Sequence, residues 1–289
     1  MTLTIVDEIQ LEKIPSGSGI IRSGDNYYVV GDDSPFLYAL NRDFKTISKT
    51  PLLEPGEFSE RILKSEKPDF EGMELIYKNE IVVFGSGSKS PQRNIFLRIL
   101  LNDSLKIEKY DISDFYNKLI QLPLFKDSEL NIEATAFRDN QLFLFNRKPN
   151  LIIRFEYKDF LAYLSDGIDF PRPEIRHFSL PKINGIEAGF SGATALMNEP
   201  KIIFTASVEN NQNAYKDGEI LGSLIGILDI ADNTISESFE YCPIPNAGAN
   251  LKVESVTVEK EISSGETKVV LISDDDQGNS TLLTGLLLW

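Results

Sequence analysis

The chain has 289 residues, 42% of them apolar, and carries 44 Asp and Glu against 29 Lys and Arg, a net charge of −15. Acid in that excess favours solubility and argues against nucleic acid or an anionic membrane as partner, because phosphates are held by accumulated Lys and Arg. A single cysteine, Cys242, and a single histidine, His177, exclude an internal disulfide framework, a thiolate metal cluster and zinc chemistry built on several imidazoles.

In chain order, Leu3–Lys13 (LTIVDEIQLEK) reads as a strand with no unit of its own. The start of the chain shows no basic n-region and no apolar run of roughly 7–15 residues, so neither a signal peptide nor a membrane span is expected. The location implied is cytoplasmic, or periplasmic or secreted had a leader been trimmed. From Ser16 a grammar of short β-runs and turns begins, with SGSGIIRSGDNYYVVGDDSPFLYAL over Ser16–Leu40 and a further run at Phe44–Thr50. Phe58–Lys67 is predicted as a short helix. The pattern repeats in FEGMELIYKNEIVVFGSGSKSPQRNIFLRIL, Phe70–Leu100, and ends in Lys106–Ile112. Ile112–Phe125 places Phe115, Leu119 and Leu122 at helical spacing and stops at Pro123. The clearest copy follows: strand Ile132–Phe137, turn Arg138–Asn140, strand Gln141–Asn146, basic loop Arg147–Pro149 and strand Asn150–Glu156. Lys158–Leu164 is predicted as two turns of helix and Glu174–Leu180 as the fourth run. FSGATALMNEPKIIFTASVE opens another copy at Phe190 that ends in Ser236–Tyr241, and the last runs from Val253 to Leu287.

The copies begin at Gly19, Glu71, Glu133, Ser191 and Glu254, at spacings of 52, 62, 58 and 63 residues. Self-similarity on this scale marks a repeat fold. The prediction is all-β: a single β-propeller domain over residues 1–289, with five blades of four antiparallel strands. Six blades is the alternative, if an insert hides one. The last unit lacks a fourth strand, so the N-terminal strand is expected to join the last blade and close the ring, which leaves no sheet edge across it.

In a meander blade, the start of the first strand, the end of the second and the loop before the third share one rim. That rim collects Glu71, Glu133 and Glu254, then Asp32, Asp33, Ser86, Ser88, Asn146, Ser207 and the run Asp274–Asp276, with Lys89, Arg93, Arg147, Lys148 and Lys216 from the loops. Carboxylates brought together at about 8 Å repel by roughly 2 kcal/mol a pair at an effective dielectric near 20. A bound hard cation, the loop cations or raised pKa values must offset this. Two readings of the three glutamates are open: a functional ring, or repeat scaffold bonded to a neighbouring blade's backbone. Gly85–Ser90 is not a phosphate loop, because the lysine spacing is wrong and Pro91 stands where a helix would begin. It is expected to grip an anion through Lys89 and Arg93. Asp274–Asp276 has a solvated turn as its alternative.

The strand openings FEGMEL, IEATAF and VESVTV, with the ending LISDDD, resemble the phytase-like propellers, the group labelled as having esterase-like activity of phytase. That group is similar to the gluconolactonase and regucalcin propellers. The resemblance implies calcium (Ca²⁺) at one channel mouth, on Glu71, Glu133, Asn146, Glu254 and Asp274. It departs in the usual blade number, six, and in lacking the acidic multi-calcium loops of true phytases. Two functions follow. In the first, a calcium-supported hydrolase cleaves a small anionic ester, lactone or phosphoester, with Glu71 or Glu133 as base and Arg93 and Arg147 holding the anion. In the second, a monomeric, non-catalytic propeller binds a protein or glycan partner on the rim.

Overall fold

Short apolar runs broken by turn residues become the strands of five sheets set around one axis. The computed structural model describes residues 1–289 except 54–60, 103, 126–127, 168, 211–218, 232–233, 246–250 and 276–277. After β1 (Thr2–Leu11) the first blade is β2 (Gly17–Ser23), β3 (Asn26–Gly31), β4 (Phe36–Leu40) and β5 (Thr46–Pro51). The second is β6 (Phe70–Ile76), β7 (Glu80–Gly85), β8 (Ile95–Leu101) and β9 (Leu105–Asp111), followed by α1 (Ser113–Ile120). The third is β10 (Ile132–Arg138), β11 (Gln141–Asn146), β12 (Leu151–Glu156) and, after α2 (Tyr157–Asp166), β13 (Glu174–His177). A small hairpin of β14 (Lys182–Ile183) and β15 (Ile186–Glu187), not anticipated from the sequence, leads to the fourth blade. That blade is β16 (Gly189–Ala195), β17 (Lys201–Asn210), β18 (Glu219–Ala231) and β19 (Thr234–Pro243); the fifth is β20 (Lys252–Ser263), β21 (Glu266–Asp274) and β22 (Ser280–Leu288). Each blade is a four-stranded antiparallel meander, and β1 pairs with β22 from Thr2 opposite Leu288 to Leu11 opposite Ser280. The ring is therefore a five-bladed propeller closed by its N-terminal strand, and the six-blade alternative falls.

Five hydrophobic clusters hold it, one at each blade-to-blade interface. This is why the second strands read as unbroken apolar runs: both faces of β7 (EIVVFG) are buried against a neighbouring blade. The inner strands touch in the order β2, β6, β10, β16, β20 and back to β2. With only five blades they crowd the axis, and small residues (Gly19, Gly72, Ala134, Gly192 and Ser255) stand at one shared level. A Cβ on Gly192 would lie 2.6 Å from the Ser255 Cα, a backbone atom that cannot swing aside. Gly192→Ala is accordingly expected to cost about 1–3 kcal/mol of stability, read by denaturant unfolding; a wild-type midpoint would show that the inner strands are not in close contact there.

Both predicted helical inserts form helices, and they pack as flaps on the outside of the second and third blades. Phe115, Tyr116 and Leu119 of α1 and Tyr157, Phe160 and Tyr163 of α2 are buried in the shared cluster. Tyr116 reaches inward to donate to the Gly85 carbonyl at 2.7 Å, which fixes the end of β7 at the channel mouth. For the third predicted helix, residues 58–60 lie outside the described residues, and the part from Arg61 to Lys67 is turn and loop.

Candidate functional site

In every inner strand the pairing slips by one residue at the same place. Ser18, Glu71, Glu133, Ser191 and Glu254 are the extra residues of five equivalent β-bulges, each at the start of the strand. A bulge re-aims its side chain, and here it turns Ser18, Glu71, Glu133 and Glu254 towards one channel mouth. The first copy is thus anchored by Ser18 rather than the predicted Gly19, because Gly19 has a ladder partner, Val30, and Ser18 has none. The two serines are seams. Ser18 donates to the Phe70 carbonyl and Ser191 to the Val253 carbonyl at 2.7 Å, each on the next blade. The bond to a neighbouring blade's backbone, one of the two readings open for the glutamates, is made at these positions by the serines.

The three glutamates face a cavity of about 480 Å³ at this mouth. Its lining comprises nine carboxylates and seven cations among the described residues, so it is a mesh of ion pairs rather than a bare acidic ring. Arg147, 7% exposed, bridges Glu133 at 3.5 Å and Glu209 at 2.9 Å. Lys252 holds Glu254 at 2.9 Å and Glu209 at 3.5 Å. The Lys67 ammonium joins Asp32 to Asp69, the latter at 2.7 Å. Asp69 also accepts from Arg93 and from Ser86, each at 2.5 Å. Arg61 pairs with Asp33 at 2.7 Å. Glu71 differs from the other two bulge glutamates in having no described cation within ion-pair distance.

These environments split the acids into two groups. Burial pushes Glu71 well above the usual carboxylate range, and Glu133, Asp69, Asp32 and Glu254 push it the same way. Burial also raises Glu254 to about 8, against the pull of Lys252, and raises Glu133 despite Arg147 and Lys252. Burial acts on Asp69 as well, but Lys67 and Arg93 outweigh it and hold that acid low. Arg147 and Lys252 do the same for Glu209. One mouth therefore combines carboxyls pushed up by burial with carboxylates held low by cations, the kind of split that acid–base chemistry uses.

Of the predicted residues, Glu71, Glu133, Glu254, Asp274, Arg93 and Arg147 all line this cavity. Asn146 does not. Its side chain is fully buried, accepting the Asn131 N–H at 2.7 Å and donating to the Pro149 carbonyl at 2.9 Å, so it shapes the loop behind Arg147. Ser207 is likewise used on the seam to Val253. Arg93 and Arg147 do not await an external anion, because the anions they hold are the protein's own Asp69, Glu133 and Glu209. Asp275 closes a turn onto Asn279, and Asp276 and Lys216 lie outside the described residues. The sequence reading missed Asp69, Lys67, Lys252 and Glu209. The first three were within reach, since K-x-D-x-E over Lys67–Glu71 and K-x-E over Lys252–Glu254 set them within four residues of a bulge glutamate.

The five expected calcium ligands do not make one coordination sphere. Asn146 is spent elsewhere, and Glu133 and Glu254 are each held by a cation. Among the described residues, the trio of carboxylates whose oxygens lie within 4.8 Å of one another is Asp32, Asp69 and Glu71, a different set. There the Lys67 ammonium already supplies the positive charge between two of the three. The donor set does not fit a resident calcium ion.

Solved structures similar in fold include glutaminyl cyclase from Myxococcus xanthus, at 9% identity and a TM-score of 0.47, covering 99% of this chain and 97% of that one. The tail fiber of Staphylococcus aureus phage P68 is similar at 9% identity and a TM-score of 0.47, covering 99% of this chain and 53% of that one. A GH43 protein, BlXynB, from Bacillus licheniformis is similar at 11% identity and a TM-score of 0.43, covering 96% of this chain and 54% of that one. The chain thus spans about half the length of the last two. No curated protein sequence matches it. Residues 13–287 match the family of unknown function DUF6929, and the chain belongs to that family.

Proposed function

We propose that this channel mouth is a hydrolase-like acid–base site for a small polar substrate (an ester, lactone or phosphoester) in which Glu71 is the proton donor. One observation carries the reading: of the three bulge glutamates, two are tied to Arg147 and Lys252, while Glu71 is raised with no described cation within ion-pair distance, Lys67 acting on it from further off. Glu71 gives its proton to the leaving oxygen. Asp32, whose Oδ1 is buried without a hydrogen-bond partner and whose carboxyl stands within 4.8 Å of that of Glu71, takes the proton from the attacking water. Burial raises Asp32 as well, against Lys67, which brings it towards the range of a useful base. Arg93 and Arg147 act through Asp69 and Glu209, keeping those acids ionised and in place, while Arg147 also positions Glu133. The likeness of FEGMEL, IEATAF and VESVTV to the phytase-like propellers favours an ester or phosphoester as the bond cleaved. Calcium has no step in this scheme, because Lys67 holds the place between Asp32 and Asp69.

Turnover of p-nitrophenyl acetate, p-nitrophenyl phosphate and gluconolactone, each with a chelator and with added calcium, tests the proposal. At least one class is expected to turn over at a rate indifferent to the chelator, and Glu71→Gln is expected to lower kcat by about 10²–10⁴. Full rate in Glu71→Gln would end the assignment of Glu71. Silence on all three classes would leave the non-catalytic, partner-binding propeller as the reading.

A further inference from the structure

The opposite mouth of the channel holds a second cavity of about 740 Å³, formed where the inner strands end, and the chemistry above makes no use of it. Its floor contains a carboxyl. Glu74 is 7% exposed; its Oε1 accepts the Leu75 N–H at 2.8 Å, while its Oε2 is buried with no hydrogen-bond partner. The residues three past the bulge in the other inner strands are Ile21, Ala136, Thr194 and Thr257, so only the second blade sets an acid at this level. Beside it, Tyr77 is held in the left-handed region at φ 47° and Lys78 at φ 71°. A bulky residue adopts that backbone at a cost. Its effect is to stand the Tyr77 ring, 56% exposed, at the cavity edge, T-shaped against Phe137 at 5.0 Å.

Three of the charged groups around Glu74 are engaged elsewhere. From β2, Arg22 donates to the Glu259 carbonyl. From the end of β10, Arg138 donates to the Glu199 carbonyl at 2.7 Å and pairs with Asp139 at 3.0 Å. From β20, Glu261 accepts the Met197 and Asn198 N–H groups at 2.6 and 2.9 Å. Lys78, Glu259 and Lys260 complete the rim. None of these is among the causes acting on Glu74: burial raises it to about 8, with the Leu75 and Phe137 N–H groups opposing.

We propose that this far mouth is a binding site for a small organic cation, its ammonium seated on Glu74 Oε2 and its apolar or aromatic body against Tyr77, Phe137 and Met197. A buried carboxyl with an unused oxygen lacks a donor and a positive charge, and an ammonium group supplies both. The aromatic pair adds a cation–π surface, and the chain's net charge of −15 draws cations towards it. The cavity also lies within the roughly 300–1,000 Å³ usual for small-molecule sites. Because the cation takes ionised Glu74, binding near neutrality expels the carboxyl proton to solvent. Affinity then rises about tenfold per pH unit below 8 and levels off above it.

Isothermal titration with 2-phenylethylamine, its neutral counterpart 2-phenylethanol and its anionic counterpart 3-phenylpropanoate tests this, in two buffers of different ionisation enthalpy. The amine alone is expected to bind, about tenfold tighter at pH 7.5 than at pH 6.5, with a buffer-dependent heat that reports proton release. Glu74→Gln keeps the shape of the side chain and is expected to weaken amine binding at least tenfold with the thermal transition at pH 6.5 retained, whereas Glu71→Gln leaves it unchanged. No amine binding, equal binding of the alcohol, unchanged affinity in Glu74→Gln, or loss in Glu71→Gln instead would each overturn the proposal.

Discussion

Arg147→Met is expected to lower the unfolding free energy by about 3–5 kcal/mol near neutral pH, a cost typical of deleting one partner of a buried ion pair. The guanidinium is the shared counter-ion of Glu133 and Glu209, on two different blades, and all three side chains are at most one-tenth exposed. Its removal strips Glu133 of its described ion-pair partner and leaves Glu209 to Lys252 at 3.5 Å, in a cavity that already holds Glu254 and Glu71. Methionine refills much of the stem's volume, so the loss reports charge more than packing. Lysine is a poor substitute, because one ammonium cannot replace a fork spanning two acids. The stem also passes close to Gly189, where a Cβ would lie 2.5 Å from the Arg147 Cγ. Urea melts at two pH values provide the check. The deficit should shrink in acid, as Glu133 and Glu209 take up protons; a deficit below about 1 kcal/mol, or one that ignores pH, would show that the pairing does not stabilise the fold.

The second large effect is loss of stability in alkali. Glu74 and Glu254 both rise from 4.5 to about 8 in the folded state through burial. Between those values the native chain binds protons that the unfolded chain has released, so stability falls as pH rises. The contribution is complete below about pH 4.5, declines by roughly 1.4 kcal/mol per pH unit for each group across the window, and is lost once pH passes the folded value near 8. Glu71, raised by burial and by four carboxylates, acts with the same sign. Asp69 and Glu209 act oppositely. Held low by their cations, they contribute stability that is present above their unfolded values and lost as pH falls. The melting temperature is therefore expected to peak in weak acid and to drop steadily from about pH 5 to pH 8, with a shallower slope in Glu74→Gln. A flat profile over that range, or an unchanged slope in the variant, would mean that these carboxyls are solvated.

The propeller was legible because its cause is local and repeated. Strand alternation, turn residues and five similar openings define the meanders, and an orphan strand at one end with a missing strand at the other implies closure. Helical spacing in the inserts after β9 and β12 located both helices for the same reason. The near-mouth acids were legible in part. A residue recurring at strand starts must share a rim once the repeats share an axis, so the pattern along the chain is enough to bring Glu71, Glu133 and Glu254 to one mouth.

Other features depend on distances that no single repeat contains. The slip that makes Ser18 rather than Gly19 the first blade's counterpart is a register fact, visible only when β2 is laid against β3. Whether a rim cation meets a ligand or an internal acid is likewise decided across blades: Arg147 of the third finds Glu209 of the fourth, and Lys67, leading into the second, finds Asp32 of the first. Glu74 reads locally as one more acid on a half-buried strand, and its isolation arises because the five strands converge and leave it no described cation as a partner. By itself the sequence determined the repeat, its closure and which rim gathers carboxylates, since these follow from pattern along the chain. Only the tertiary structure decided which of those charges neutralise one another, because Coulomb and desolvation energies depend on separations and burial set by the packing of one blade against the next.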